Sequence, residues 1–261
     1  MRTIAVAMAK GGVGKTTTSV SLAWRLASFG KRVLLVDCDT QDQVCRFLGV
    51  RPTHGLSEFI TERGRDGEGI SRNEAVFRAR DNLWVLAGGI GLVELKHWLG
   101  EQPREVRQTV LKQRLAPKPG SIDYLIFDCA PGWDLLSVNI LVAASEVLCP
   151  VSLQGPALEG LKTFFRYLQS VQKLNPELRL KYVLPTMFDR RTSHTQSMLT
   201  QLERYFARQL CAPVHYTVRL SEAPTQGRTI FEFDRASPAA RDYDLLVRRV
   251  MDDGDETTPP A

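Results

Sequence analysis

The sequence predicts a single α/β domain in which a mostly parallel, twisted β-sheet carries helices on both faces. Three observations support this. Short runs rich in Val, Ile and Leu alternate along the chain with longer segments of helical periodicity. The 261 residues, 43% hydrophobic and 24% charged, suit one large domain and rule out collagen, coiled coil and wholesale disorder. No internal repeat or linker divides the body of the chain.

Each predicted strand is a short apolar run. The strands are expected at Thr3–Ala7, Arg32–Val36, Leu83–Leu86, Tyr124–Phe127, Val147–Val151, Tyr182–Pro185 and near Val214. Each predicted helix is a longer segment with an apolar face. The helices are expected at Lys15–Phe29, Pro103–Leu115, Leu135–Ala144, Leu158–Leu174, Ser193–Arg208 and Pro238–Met251. The Gly-rich, charged segment Glu62–Asn73 is expected to be a mobile loop.

The charge distribution suggests a polyanionic partner. The chain has 34 Lys and Arg against 29 Asp and Glu, a net charge of +5. Four of the acidic residues lie in the last eleven positions, so the first 250 residues carry 34 basic and 25 acidic side chains, a net charge of +9. A solvated basic surface without such a partner would have the same composition. We divide the chain into a domain over residues 1–251 and an acidic tail over residues 252–261, which we expect to be disordered.

Cysteine and histidine usage argues against a disulfide framework or a dedicated zinc site. The five cysteines are scattered and contain no Cys-x-x-Cys pair, and the four histidines show no metal-binding spacing. No run approaches the roughly 18 apolar residues that a membrane span requires. The short apolar run at the N-terminus is interpreted as a buried strand and not as a signal peptide. We therefore expect a cytoplasmic protein that does not bind membrane.

The strongest motif is Lys-Gly-Gly-Val-Gly-Lys-Thr-Thr, which directly follows the first predicted strand and begins the first predicted helix. Glycines let consecutive backbone N–H groups turn inward around an anion, and the helix N-terminus adds its positive dipole end. Lys15 is expected to reach the β- and γ-phosphates of a nucleotide, and the Thr16 hydroxyl to ligate Mg²⁺. The predicted nucleotide-binding residues of this loop are Gly11, Gly12, Val13, Gly14, Lys15, Thr16 and Thr17.

Two further strands end in acidic residues. Asp37 and Asp39 leave the end of the second predicted strand, and Asp128 ends the run Tyr-Leu-Ile-Phe-Asp of a later one. Ligands of α/β sheets bind at this carboxyl edge. Acids in this position suit the water shell of Mg²⁺ and the orientation of an attacking water molecule. We therefore predict that Asp128 orients Mg²⁺ through water.

The phosphate loop departs from the strict Walker A pattern at one place. That pattern has Gly five residues before Gly14, where this chain has Ala9, and a second lysine, Lys10, precedes the glycines. With these features the chain resembles the ParA/MinD superfamily of dimeric ATPases. The resemblance implies an ATP-dependent homodimer in which Lys10 crosses the interface to the phosphates of the partner's ATP. It also implies that Asp37 lies in the outer shell of the metal and that Asp39 acts on the hydrolytic water.

Three more segments narrow the resemblance. They are Ala157–Leu161, Pro185–Thr192 and Val218–Pro224. Together they resemble the Soj-like chromosome- and plasmid-partition ATPases over about residues 1 to 250. The resemblance implies an adenine site at Thr186, Met187 and Pro224. It also implies nonspecific, nucleoid-associated DNA binding through Arg191 and Arg219, and a ParB-like centromere-binding protein that stimulates weak intrinsic hydrolysis.

The match to this family also has departures. Thr40 stands where relatives usually have Pro, and Gly132 replaces the second Pro of Asp-x-x-Pro-Pro. Residues 215–217 read His-Tyr-Thr where relatives often have Pro-Arg-Asn, so one base is missing. Arg190 and Arg228 are candidates to replace it.

Four other functions share this type of phosphate site. A MinD-like ATPase would need a C-terminal amphipathic helix for the membrane, whereas this chain ends in an acidic segment that anionic lipid repels. An iron–sulfur carrier would need a paired cysteine motif, and a related tyrosine kinase a Tyr-rich tail; the sequence has neither. A ParA-like ATPase that positions another cargo remains open, because the partner protein selects the cargo.

Overall fold

The computed structural model describes residues 1–64, 66–154 and 157–255. A seven-stranded sheet lies at its centre, in the order β3-β4-β2-β5-β1-β6-β7. The strands are β1 (Arg2–Val6), β2 (Val33–Cys38), β3 (Phe77–Arg80), β4 (Leu83–Leu86), β5 (Tyr124–Cys129), β6 (Glu146–Ser152) and β7 (Arg179–Thr186). The edge strand β3 is antiparallel to β4, and the other neighbouring strands are parallel. The predicted fold class is confirmed.

Helices cover both faces of the sheet. They are α1 (Lys15–Ser28), α2 (Gln43–Leu48), α3 (Leu56–Thr61), α4 (Arg72–Ala75), α5 (Gly91–Glu101), α6 (Val110–Arg114), α7 (Leu135–Ala143), α8 (Ala157–Gln172), α9 (Ser193–Phe206), α10 (Arg219–Glu222), α11 (Ile230–Phe233) and α12 (Pro238–Asp255). The buried apolar residues form two clusters, one on each face of the sheet. Alternate residues of β1 point to opposite faces, so Ala5 packs in one cluster and Ile4 and Val6 pack in the other. A strand buried on both sides explains the continuous apolar runs of the sequence.

Three predicted elements are wrong in type or extent. The helix predicted over Pro103–Leu115 is reduced to α6, because the buried Asn139 side chain donates to the Arg107 carbonyl at 2.7 Å and accepts from the Leu111 N–H at 3.3 Å. These bonds hold the preceding turn against α7 instead of letting the helix begin earlier.

The segment near Val214 forms single bridges beside β7 instead of a strand, such as Phe188 with His215. Pro213, which has no N–H to donate, limits the pairing there. At the C-terminus, α12 continues to Asp255, four residues beyond the predicted end. The remainder of the predicted tail, residues 256–261, lies outside the described residues. Within the described ranges, no helix combines the length and apolar character needed to cross a bilayer.

Candidate functional site

The phosphate loop lies between β1 and α1, at the carboxyl edge of the sheet. Gly14 is the N-cap of α1 and has a φ of 88°, a left-handed conformation that favours glycine. The N-terminus of α1 therefore faces the loop, where its N–H groups and dipole favour an anion. Thr186, at the end of β7, secures the loop from the side, because its hydroxyl donates to the Val13 carbonyl at 2.9 Å.

The two lysines of the loop occupy different environments. Lys15 is buried, and its Nζ donates to the carbonyl of Lys10 at 3.1 Å. Burial lowers the pKa of Lys15, and the nearby charge of Asp128 partly opposes this. The side chain of Lys10 is exposed and has no ion pair in the part of the chain that the structure describes. Lys15 thus belongs to the anion site of its own loop, whereas the exposed Lys10 can reach a group outside it.

Two strand-end carboxylates lie side by side, because Asp37 of β2 pairs in register with Asp128 of β5. Both are buried. Asp37 accepts the backbone N–H groups of Asp39 at 2.9 Å and Val44 at 3.1 Å, and Asp128 accepts the Ser19 hydroxyl at 2.9 Å. Burial raises the pKa of both carboxyls, that of Asp128 to about 6, and the neighbouring Asp128 raises that of Asp37 further.

A divalent cation fits this pair of carboxylates. Two desolvated acids in contact favour a positive charge between them. Thr16, whose hydroxyl bonds to Asp128, supplies a further oxygen. Among the described residues, no group of three or more His, Cys, Asp or Glu side chains is arranged to hold a metal ion. Thr16, Asp37 and Asp128 offer one hydroxyl and two carboxylates, a donor set that fits Mg²⁺, which usually keeps several waters and is shared with phosphate oxygens.

Asp39 follows β2 directly and forms a tight turn. Its Oδ1 accepts the Gln41 N–H at 3.1 Å, and its carbonyl accepts the N–H groups of Asp42 at 3.3 Å and Gly89 at 2.9 Å. Its other carboxylate oxygen, Oδ2, has no hydrogen bond within the described ranges. One oxygen thus holds the turn and the other is available to a water molecule at the sheet edge.

Gly88 supports this turn by its lack of a side chain. A Cβ at Gly88 would lie 2.4 Å from the Asp39 carbonyl and 2.9 Å from the Asp37 carboxylate. Gly88→Ala should therefore lower the free energy of unfolding by about 1–3 kcal/mol and reduce nucleotide hydrolysis by displacing the backbone of the Asp39 turn and the Asp37 carboxylate. Denaturant unfolding and turnover assays measure the two effects. Gly100→Ala in α5, where a Cβ meets nothing within 4 Å, is the matched control and should keep full turnover.

The loop after β5 joins this site to three helices. Gly132, which stands where the family has a second Pro, has a φ of 102°. Proline cannot adopt this φ, so the backbone of this loop requires a residue other than proline here. Trp133 packs on Tyr167 of α8 with ring centroids 3.9 Å apart. Asp134 caps α7 and pairs with Lys96 of α5 at 2.8 Å. Burial alone would raise the pKa of Asp134, but the bonds from Lys96 and from the cap lower it.

A cavity of about 240 Å³ opens beside the phosphate loop. Its lining residues are Gly14, Thr17, Thr186, Met187, Val214, His215, Tyr216, Thr217, Leu220, Ser221 and Tyr243. Two of the predicted adenine residues, Thr186 and Met187, lie here. The third, Pro224, lines a neighbouring hollow with Thr17 and Leu220, so the structure does not place it in this cavity.

Sequence reasoning missed several residues of this cavity. Three of them are His215, Tyr216 and Thr217. The sequence predicts a strand near Val214, just before them, and residues 215–217 lack a basic residue that relatives often have. Tyr243 comes from α12, and its hydroxyl lies 3.2 Å from that of Thr18. The departure of residues 215–217 from the family pattern was the one signal that could have directed attention to this wall.

The two predicted DNA-binding arginines lie on the surface, and each pairs with nearby carboxylates. Arg191 is 85% exposed and forms two bonds with Asp189, at 3.0 and 2.8 Å. Arg219 pairs with Glu222 at 3.0 Å and lies 3.6 Å from Asp234. The bonds from Arg191 lower the pKa of Asp189 to about 2. Exposed pairs of this kind are weak, so a phosphate can replace the carboxylate.

Comparison with known proteins shows similarity over nearly the whole chain. A family model described as an AAA domain matches residues 1–180. The chain is 36% identical over 253 residues to the chromosome-partitioning ATPase Soj of Thermus thermophilus, covering 96% of each protein. It is 37% identical over 253 residues to the sporulation initiation inhibitor protein Soj of Bacillus subtilis, covering 96% of this chain and 98% of that protein.

A solved structure shows the same fold. Cobyrinic acid a,c-diamide synthase from Mycobacterium smegmatis, with bound ADP and magnesium, is 29% identical, covers 98% of this chain and 96% of its own, and has a TM-score of 0.82. The same enzyme is also solved with an ATP analogue and magnesium.

The parallel sheet, the glycine loop that opens α1 and the strand-end acids define a P-loop NTPase. The second lysine at the start of the loop gives it the deviant form of that site. With the similarity to Soj over almost its full length, the chain belongs to the ParA/Soj family of partition ATPases.

Proposed function

We propose that this protein hydrolyses ATP with Mg²⁺ in a sandwich homodimer that binds DNA without sequence preference. A ParB-like centromere-binding protein stimulates hydrolysis, and the cycle drives chromosome or plasmid segregation on the nucleoid, in the cytoplasm. One observation carries the dimer: Lys15 is buried within its own loop, while Lys10 extends outward from the same loop. The names of the similar Soj proteins support the partition role.

The residues of one subunit divide the work of binding and hydrolysis. The N–H groups of the loop and of the α1 N-terminus hold the phosphates. Lys15 exchanges its bond to the Lys10 carbonyl for phosphate oxygens. Mg²⁺, when bound, would neutralise charge on the phosphate oxygens; Thr16 would ligate it, and Asp37 and Asp128 would hold its water shell. Asp39 accepts a hydrogen bond at Oδ2 from the attacking water and orients it.

The single subunit is an incomplete catalyst in this mechanism. Lys10 extends from its own loop, so each phosphate group obtains its second lysine only from the other subunit. Slow intrinsic hydrolysis follows from this requirement, as does its acceleration by a partner that favours the closed dimer. The rate of ATP hydrolysis then sets how long the dimer stays bound to DNA.

Lys10→Ala should preserve ATP binding and weaken the ATP-dependent dimer about 100-fold or more. Removing one partner of a buried charge pair costs roughly 2–5 kcal/mol, and a symmetric dimer loses two such pairs. Light scattering coupled to size exclusion, with ATP and with ADP, measures the effect. Lys118→Ala, which removes an exposed lysine from the turn before β5, is the control and should dimerise normally. Dimerisation of the Lys10 variant at wild-type concentrations with ATP would refute the cross-subunit role.

The cargo that the protein moves must be identified by experiment. A ParA-like ATPase that positions another cargo on the nucleoid would have the same site and the same DNA affinity. Stimulation of hydrolysis by a ParB-like protein with centromere DNA supports segregation, and its absence favours another cargo. Retention on anionic liposomes instead of DNA would favour a MinD-like membrane ATPase.

A further inference from the structure

His215 is fixed at the wall of the cavity beside the phosphate loop. One carboxylate oxygen of Asp242 in α12 bonds to His215 twice. It accepts from the His215 backbone N–H at 2.9 Å and lies 2.8 Å from the ring Nδ1. The backbone on either side bonds to Phe188, since Phe188 donates to the Val214 carbonyl at 3.0 Å and accepts from the Tyr216 N–H at 2.9 Å. The ring therefore has its position set from two sides.

This bonding also sets the polarity of the ring. An ionised carboxylate accepts hydrogen bonds and does not donate, so Nδ1 must carry the proton in the bond to Asp242. In neutral imidazole the other nitrogen, Nε2, then has a lone pair. Among the described residues, Nε2 has no hydrogen-bond partner. In its neutral form His215 thus has an acceptor at Nε2 that no described protein donor occupies, and the residue lines the cavity.

The other polar side chains of the cavity are of a different kind. They are the hydroxyl groups of Thr17, Thr186, Thr217, Ser221, Tyr216 and Tyr243. A hydroxyl without a partner rotates to donate or to accept, so it adapts to either kind of group on a ligand. Two of these hydroxyls already donate within the protein, Thr186 to the Val13 carbonyl at 2.9 Å and Ser221 to the Val218 carbonyl at 2.7 Å, so they can only accept from a ligand. The bond to Asp242 likewise leaves neutral His215 as an acceptor at Nε2, and a fixed polarity is what discriminates between ligands.

We propose that His215 selects adenine among purine bases, with Nε2 accepting a hydrogen bond from the 6-amino group. Adenine presents a donor at position 6, whereas guanine presents the acceptor O6, which would face the lone pair of Nε2. Asp242 is the positioning residue, because it holds the ring and its tautomer. The inference rests on the ATP-binding part of the proposed function and adds to it the residue that distinguishes the base.

The test compares the dissociation constants of three magnesium nucleotides by calorimetry on the full chain: ATP, GTP and purine riboside triphosphate, which lacks the 6-amino group. Wild-type protein should bind ATP about 3- to 10-fold more tightly than purine riboside triphosphate, the ratio expected for one hydrogen bond. It should bind GTP more weakly still, because two acceptors then face each other.

Three variants separate the hydrogen bond from packing. His215→Phe keeps a ring but removes the acceptor, so the ratio between ATP and purine riboside triphosphate should fall to about 1. His215→Gln supplies an amide oxygen and should recover part of the ratio. Asp242→Ala frees the ring and should also reduce the ratio although His215 is present. His97→Ala, which removes an 81%-exposed histidine of α5, is the control and should keep the wild-type ratio.

The possible failures are distinguishable. If the wild-type protein binds none of the nucleotides, the proposed function itself fails. If it binds ATP and purine riboside triphosphate equally, or if His215→Phe keeps the wild-type ratio, the ATPase proposal stands and the role of His215 is overturned. Because GTP and purine riboside triphosphate also report binding, a variant that lost affinity for all three through misfolding is recognised at once, and His215→Gln then decides the question.

Discussion

Asp39→Ala should slow ATP hydrolysis by about 100-fold or more and leave ATP binding intact. The carboxylate lies at the sheet edge with Oδ1 in the turn and Oδ2 without a hydrogen bond in the described part of the chain. Its removal therefore takes away the group that orients the attacking water, without touching the phosphate loop. The dimer should then remain closed on DNA, because only hydrolysis opens it. Phosphate release with and without the ParB-like partner measures the loss.

A second variant separates catalysis from the shape of the turn. Asp39→Asn keeps an oxygen that can accept the Gln41 N–H but replaces the second oxygen with an NH₂ group that cannot accept a hydrogen bond from water, so it should be as slow as the alanine variant. Asp81→Ala removes a 94%-exposed carboxylate from the turn between β3 and β4 and should hydrolyse ATP normally. Stimulated turnover near the wild-type rate in the asparagine variant would show that Asp39 only shapes the turn.

Arg191→Glu combined with Arg219→Glu should abolish retention on DNA and leave ATP-driven dimerisation unchanged. Two arginines from each subunit offer four phosphate contacts, and each contact contributes about −0.9 to the slope of log K against log salt. The wild-type slope should therefore be about −3 to −4 when all four engage. Mobility shifts with ATP, ADP and no nucleotide, on two unrelated sequences at several salt concentrations, test the whole proposal.

Two further variants test whether these arginines contact DNA. Asp189→Asn removes the carboxylate that competes for Arg191 and should tighten DNA binding. Arg78→Glu with Arg179→Glu makes the same change of charge near the opposite edge of the sheet, where β4 and β7 begin, and should retain DNA. Equal binding with ADP, a strong preference for one sequence, or loss of binding in this control would contradict the nucleotide-switched, nonspecific surface.

The phosphate loop and the acidic strand ends were predictable from sequence because their signals are local. A glycine loop between a strand and a helix creates its anion site from its own backbone, and the run of five residues ending at Asp128 carries its acid to the sheet edge in any parallel order. The helix α5 was not predicted, although Leu92, Leu95 and Leu99 have helical spacing and are buried.

Predictions failed where a distant residue decides the local structure. Asn139 ends the predicted helix over Pro103–Leu115 at its N-terminal side through bonds that span about 30 residues of chain. No spacing rule within that segment contains this information. Pro224, which the family resemblance assigns to the adenine site, lines a hollow beside the cavity of Thr186 and Met187, and its contact with adenine stays a prediction.

The sequence by itself therefore determined the class of sheet, the phosphate loop, the two lysines and the acids Asp37, Asp39 and Asp128. Each lies in a loop or at a strand end that its neighbours in the chain define, so its place at the edge of the sheet can be deduced before the fold is known. Only the tertiary structure decided that Asp37 and Asp128 lie side by side, and that His215 is held by Asp242 at the cavity wall. The physical reason is that burial, carboxylate repulsion and tautomer choice depend on atoms brought together by folding, which the order of residues along the chain does not display.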